Sequence, residues 1–531
     1  MQQRLLTLLA FIIPGLLPAQ AINTRADIVD VQHYRFQLLL NDANDTIKGN
    51  ATISILFLKN TNVVELDLYK KNESGKGMLV TAVTENNNTV KFSQQEEILR
   101  IATFAKAGET IQYTIHYHGV PANGLIIDKN KYGQRTFFAD NWPNRAHHWL
   151  PCIDHPADKA AVEFMVTAPQ HYQVVANGVQ VEETNSDDGF NTTYWKETVA
   201  LPTKVMAIGV ANFAVQYAGA VDCIPVYSWV YPKDKEKGFY DYAPAKEILS
   251  WFIKTIGPYA YLKLANVQSK TRFGGMENAS VIFYAEDKIS GTRDEEALLA
   301  HEIAHQWFGN SATEINWQHI WLSEGSATYL THLYLEATKG TETLQQGLQK
   351  DRSTVVAFSK TNNKPVIDLS VQNNFTQLLN ANSYQKGSWV LHMLRRKLGD
   401  DNFSKGLKNY YQQYAGKNAS TEDFRKVMET TSGQDLQSFF TQWLYTPGQP
   451  QLRWSWQYHA DKKTVSITVD QQQAHLFQFP LQVLVQSGND VTTKSSNITA
   501  AQTIITIPAE SKPNQVVLDP NTNLLFEEIK Q

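Results

Sequence analysis

The hydrophobic positions along this chain change their period twice. From Ile22 to about Ala218 they alternate or gather in short runs, as in Tyr34-Arg-Phe-Gln-Leu-Leu-Leu, Ala51-Thr-Ile-Ser-Ile-Leu-Phe-Leu and Thr110-Ile-Gln-Tyr-Thr-Ile-His-Tyr. Clusters such as Asn41-Asp-Ala-Asn-Asp and Glu85-Asn-Asn-Asn break the runs. Period two sends alternate side chains to opposite faces of a strand, so this stretch predicts a β-rich domain. From Ala243 (APAKEILSWFIKTIG) the spacing becomes helical, and helices are expected to dominate to about Trp443, including stretches that open at Thr421 and Leu436. Pro447-Gly-Gln-Pro450 breaks that pattern. Beyond it, runs at Arg453, Thr464, Leu481 and Thr503 predict strands of a small sandwich-like domain.

Bulk properties narrow the class. A chain of 531 residues is too long for one ordinary core, so two to four domains are expected. Lys plus Arg number 48 against 52 acids, a balance that gives no reason to expect a nucleic-acid partner. The first 21 residues read as a secretory signal: Arg4, an apolar stretch from Leu5 to Leu17, and Ala19-Gln20-Ala21 as a cleavage site. That run is too short to span a bilayer, and it is interrupted by Pro14 and Gly15. Export to the periplasm or the extracellular space follows, with no stable membrane anchor. Cys152 and Cys223 sit among apolar residues and read as two buried free thiols rather than a disulfide.

The candidate chemistry lies in Ala297–Leu330. His301-Glu302-Ile303-Ala304-His305 is followed, after 18 intervening residues, by Glu324. Positions four apart share a helix face, so both imidazoles can address one ion, with Glu302 beside them. Glu324, arriving from a second helical stretch, would complete the His, His, Glu set of a catalytic zinc that keeps its fourth position for water. A bare HExxH also occurs by chance on a solvated helix. Against that reading, Leu298, Leu299, Ile303, Trp307 and Phe308 give this segment an apolar face, and Trp317 and Trp321 flank the second. Glu302, adjacent to a ligand but not one itself, is the natural general base for amide or ester hydrolysis.

Two further stretches bear on where a chain would be cut. In Phe273-Gly274-Gly275-Met276-Glu277-Asn278 the paired glycines let backbone approach a ligand, and Glu277 is placed to hold a protonated amine. From the segment alone, a glycine turn with a solvated Glu is an equal reading. In Asn382-Ser-Tyr-Gln-Lys-Gly-Ser-Trp389 the hydroxyl of Tyr384 is placed to donate to an oxyanion, although a lone Tyr is more often packing.

Taken together, GGMEN, HEIAHQWFGN, WLSEG and YQKG, in this order and rough spacing, resemble the aminopeptidase N and leukotriene hydrolase family of zinc aminopeptidases, which are gluzincins. PCIDHPADKA, PYAYLKL and WLYTPGQPQL extend the resemblance over most of the chain. It implies one zinc ion on His301, His305 and Glu324, with Glu302 as base and Tyr384 stabilising the tetrahedral intermediate. It further implies that Glu277 holds the free α-amine of a peptide substrate, with Gly274, Gly275, Met276 and Asn278 beside it. The fold it implies is multidomain α+β: an N-terminal β-saddle (22–218), a thermolysin-like, mainly α catalytic domain (219–447) and a C-terminal β-sandwich (448–531).

Three departures from that family are visible. Trp142 stands about where many relatives carry a second amine-binding Gln or Glu, with Asp140 and Asn141 as neighbouring substitutes. The long helical C-terminal domain of relatives has no counterpart before Gln531, which predicts a more open site or one closed by a partner subunit. No Asp or Glu lies between Leu369 and Ser383, where epoxide chemistry would need one. His147, His148 and His155 match a structural segment of the family and are not expected to form a second metal site. The expected activity is removal of N-terminal residues from peptides. A thermolysin-type endopeptidase and a silent peptide-binding member are the alternatives.

Overall fold

A computed structural model describes residues 25–529. The predicted leader lies outside them. No helix among the described residues is long and apolar enough to cross a membrane.

The strand Ile47–Phe57 shows why the first unit folds as it does. Every second residue from Ile47 to Phe57 is buried, and those between are exposed or half-buried. Such a strand has one dry face and one wet face, which suits a sheet covered on one side. It pairs antiparallel with Val29–Leu39 and Thr110–Val120. Val29–Leu39 in turn runs parallel to Lys159–Pro169, at the middle of an eight-stranded sheet. Smaller sheets of three and four strands complete this N-terminal β-rich unit.

The second unit opens with strands, not helices. Ala214–Val221, Ile224–Val230, Leu264–Ser269, Val281–Ala285 and Gly275–Met276 form a five-stranded sheet in that order. The predicted boundary at 218/219 therefore falls inside its first strand. All six residues of Leu264–Ser269 are buried, and that strand is flanked by parallel neighbours. A strand covered on both faces has no alternation to read. A helix Lys235–Tyr242, polar enough to escape notice, also precedes the predicted one, which runs Ala245–Thr255. The helices that build the site then follow: Glu296–Ala304, Trp321–Lys339, Thr341–Ser359 and Gly387–Leu398. Thr421–Ser432 is opened by a reciprocal capping box between Ser420 and Asp423.

From Gln451 the chain forms two sheets of four and three strands. The edge strand Asp490–Ile498 was not predicted, because it is mostly exposed and polar and shows no alternation. Cys152 is buried, but Cys223 is exposed in a turn with φ of 65°, which corrects the expectation of two buried thiols; neither is paired. His147 is 2.7 Å from Asp154 and stacks on His148, and no metal-binding group forms there among the described residues.

Buried polar contacts join the three units. Lys204 Nζ lies 2.5 Å from Glu314 Oε1, both almost fully buried. Lys159 Nζ donates to Ser311 O at 2.8 Å. Arg352 Nη2 donates to Asp519 Oδ2 and to Leu524 O, both at 2.6 Å. Removing one partner of such a pair leaves the other charge buried alone. Arg352→Met is thus expected to destabilise the region that holds the C-terminal sheets by about 3–5 kcal/mol, read as a lowered denaturant midpoint against wild type.

Candidate active site

The helix Glu296–Ala304 packs between Ala245–Thr255 and Trp321–Lys339. Its buried residues Leu299, Ala300 and Ile303 fix its rotation, so His301 and Glu302 meet the cavity. His305 follows its last turn, its N–H still donating to His301 O at 3.3 Å. The two Nε2 atoms are 3.1 Å apart, and Glu324 Oε2 lies 3.6 Å from His301 Nε2 and 3.2 Å from His305 Nε2.

This triangle passes a direct test of fit. Zinc with ligand bonds of about 2.0–2.1 Å in tetrahedral geometry needs donors separated by about 3.3 Å, and the three distances here are 3.1, 3.2 and 3.6 Å. The outer contacts agree. His305 Nδ1 lies 3.2 Å from Phe308 O and 3.1 Å from Ser323 Oγ. A carbonyl only accepts, so the proton sits on Nδ1 and the Nε2 lone pair is free to face a metal.

Glu324 and Tyr384 are brought together by a close helix crossing. A Cβ on Gly325 would meet Gly387 backbone at 2.9 Å, and one on Gly387 would meet Gly325 Cα at 3.0 Å. Only glycines allow that approach. Just before the crossing, Asn382–Lys386 forms a single π-helical turn, a feature often found at functional sites. It presents the Tyr384 ring parallel to His301, centroids 6.1 Å apart. Burial first, and then the charge of Glu324, hold the phenol well above its ordinary value, so it remains a donor. Lys386 anchors the turn by donating to Gly448 O at 2.6 Å.

The GGMEN segment forms the opposite wall. Gly275–Met276 pairs with Phe283–Tyr284 at the edge of the five-stranded sheet. A Cβ on Gly275 would lie 2.2 Å from Glu302 Oε1, so the Glu302 carboxylate occupies the space a side chain would fill. Glu277 is 5% exposed, and its Oε1 has no hydrogen-bond partner among the described residues. Its backbone carbonyl is held from the histidine helix's extension by Gln306 Nε2 at 2.9 Å and Asn310 Nδ2 at 2.6 Å. Sequence reasoning missed those two clamps, although both lie within HEIAHQWFGN. A Gln one turn beyond Glu302 is the sequence signal by which the first of them could have been found. Asn278 does not line the cavity. Asn278, just past the strand Gly275–Met276, is fully buried instead.

The cavity, of about 420 Å³, is lined by His301, His305, Glu324, Glu302, Tyr384 and Gly274 to Glu277, and by Trp142. Asp140 and Asn141 do not replace an amine ligand. Asp140 is bound to Arg145 and to Arg272 N, and Asn141 to Thr203 O, Met206 O and Trp149 Nε1. Burial pushes the Glu277 and Glu302 carboxyls up; His305 opposes this and the charge of Glu324 adds to it. Glu324, which burial alone would raise, is drawn far below the usual range by His305 and His301. Among the described residues no Lys or Arg lines the cavity, so three carboxylates face one space without a permanent cation.

The Peptidase family M1 domain is matched over residues 240–443 and the Peptidase M1 N-terminal domain over 30–205. The chain belongs to peptidase family M1. Glutamyl aminopeptidase of Sus scrofa is 26% identical over 460 residues, 80% of this chain and 48% of its own. Probable aminopeptidase 2 of Sulfurisphaera tokodaii is 26% identical over 441 residues, covering 80% of this chain and 54% of its own. Leucyl aminopeptidase of Saccharolobus solfataricus is 24% identical over 394 residues, covering 71% and 49%. The chain spans about half the length of these curated relatives. In fold it matches the crystal structure of Legionella pneumophila aminopeptidase A in complex with aspartic acid, with a TM-score of 0.81 at 16% identity, over 97% of this chain and 60% of that one.

Because Gly275 leaves the room that Glu302 fills, Gly275→Ala is expected to displace the Glu302 carboxylate. Hydrolytic activity should fall by about 100-fold, while the circular dichroism spectrum stays that of wild type.

Proposed function

We propose that this chain is a zinc-dependent aminopeptidase that hydrolyses the first peptide bond of peptides with a free N-terminus. The observation that carries the reading is the unpartnered Glu277 carboxylate oxygen facing the same cavity as the His301, His305, Glu324 triangle. A buried carboxylate without a partner is costly, and a substrate ammonium would satisfy it.

His301, His305 and Glu324 hold the metal. When bound, zinc supplies Lewis acidity and lowers the pKa of water towards about 7. Glu302 takes the proton of the attacking water on the carboxylate that lies against Gly275, and later returns it to the leaving amine. Tyr384 donates its hydroxyl hydrogen to the oxygen that becomes negative as the carbonyl carbon turns tetrahedral. Glu277 fixes the α-amine, so the first peptide bond is the one within reach of Glu302 and Tyr384. Gln306 and Asn310 keep that distance constant by clamping the Glu277 backbone to the segment that carries both histidines. The relatives' names span acidic and apolar first residues and do not choose between them.

We also infer export, supported by the charged start, apolar run and Ala-x-Ala site of residues 1–21. N-terminal sequencing of protein recovered from the periplasm or medium is expected to begin at Ile22, and a start at Met1 would overturn that inference.

The activity is tested with aminoacyl p-nitroanilides. Chelation should abolish release and added zinc restore it. Glu302→Gln should lower kcat by about 10²–10⁴-fold, and Glu277→Gln should lower kcat/KM by about 10–150-fold, as loss of a charged hydrogen bond implies. Nα-acetylation of a peptide should abolish its turnover; efficient cleavage of the acetylated form would instead favour a thermolysin-type endopeptidase.

A further inference from the structure

We propose that the cavity selects an apolar first residue and rejects Asp and Glu, with Trp142 as the principal specificity-determining residue; this rests on the aminopeptidase reading above. Beyond the reacting groups, the cavity wall is mostly apolar, made by Trp142, Phe273, Met276, Leu298 and Leu379, with Thr328 and Gln385 as its neutral polar members. Its charged lining is otherwise Glu277, Glu302, Glu324 and the two histidines, with no Lys or Arg among the described residues. An acidic side chain bound there would lose its hydration with no Lys or Arg in the lining to meet it, because the metal and the substrate ammonium are already matched by Glu324 and Glu277.

Arg145 and Lys288, which reach wall residues, and Lys204 are paired elsewhere, and Arg272, next to Phe273 in the chain, lines a different pocket. Arg145, whose guanidinium lies 5.9 Å from the centroid of the Phe273 ring on that wall, is paired with buried Asp140. Lys288, whose stem passes close behind Gly274, is paired with Glu295 at 3.1 Å. Lys204 is paired with Glu314. Releasing Arg145 or Lys204 to greet a substrate carboxylate would strand the buried carboxylate of Asp140 or Glu314.

Trp142 is also a fixed wall. It is 2% exposed and meets Trp317 edge to face at 5.4 Å. Trp317 is stacked on Phe375 at 5.5 Å and faced by the Lys204 ammonium at 5.6 Å. The residues just before it, Asp140 and Asn141, are pinned by the hydrogen bonds already described. No partner among the described residues holds the indole N–H, so the ring is kept in place by packing. A rigid aromatic face rewards apolar area and offers an acidic group nothing.

The test is a panel of Leu, Phe, Met, Ala, Asp and Glu p-nitroanilides on the zinc-loaded full chain. A Leu-to-Glu ratio of kcat/KM of about 100 or more is expected; a ratio under about 10 overturns the proposal. Release from no anilide at all fails the aminopeptidase reading and takes this proposal with it, whereas release with Glu preferred fails this proposal alone. Trp142→Ala should lower the Leu-to-Ala ratio about 10-fold and Trp142→Phe should keep it. A Trp142→Ala protein that melts like wild type yet keeps the full ratio removes Trp142 from its assigned role. If that variant does not fold, the wild-type panel and Trp142→Phe still decide.

Discussion

Three carboxylates turned into one buried space, with no Lys or Arg among the described residues to balance them, is the constraint on which the rest of this structure depends. Left alone, Glu277, Glu302 and Glu324 would repel one another and lose hydration, a combination that ordinarily drives protonation or rearrangement. Two features hold it. The histidines take Glu324, leaving a triangle of donors at the separations a tetrahedral ion needs. The backbone of Glu277 is clamped by Gln306 and Asn310, which fixes the point from which its buried side chain enters the cavity.

Both β units brace that arrangement from outside. The N-terminal unit sends Lys204 and Lys159 into the catalytic unit, onto Glu314 and onto the carbonyls around Ser311, next to Asn310. The C-terminal sheets grip Thr341–Ser359 and Gly387–Leu398 through Asp519 and Thr522, reaching Arg352 and His392. Lys386 adds a bond from the Tyr384 turn to Gly448, at the entrance to those sheets. Tyr384 is therefore positioned by both sides of a domain junction, and Glu277 through a helix the N-terminal unit supports. A charge pair at such a junction contributes geometry more than net stability, since desolvation offsets much of its attraction.

Much of the fold was legible where one face is wet. Ile47–Phe57 alternates cleanly because water covers the other side of its sheet, and the Thr421 helix announces itself through Ser420 and Asp423. Legibility failed where that contrast disappears. Leu264–Ser269 is buried on both faces, Asp490–Ile498 is exposed along most of its length, and Lys235–Tyr242 is short and polar. Cys223 sits among apolar neighbours in sequence yet lies in an exposed turn. Local composition does not report what a turn is turned towards.

The convergence of His301 and His305 is the part that the sequence by itself determined. A turn of helix puts residues four apart on one face, so His301 and His305 converge whatever surrounds them. The same regularity places Glu302 beside them. What only the tertiary structure decided is everything set by contacts between distant segments. Gly275 is needed because Glu302 fills its side-chain space, Asn278 is turned away, and Trp142 forms a rigid wall because Trp317 and Phe375 stack behind it. Those contacts join strand edges, helix ends and loops whose relative positions are fixed by packing, which no local period encodes.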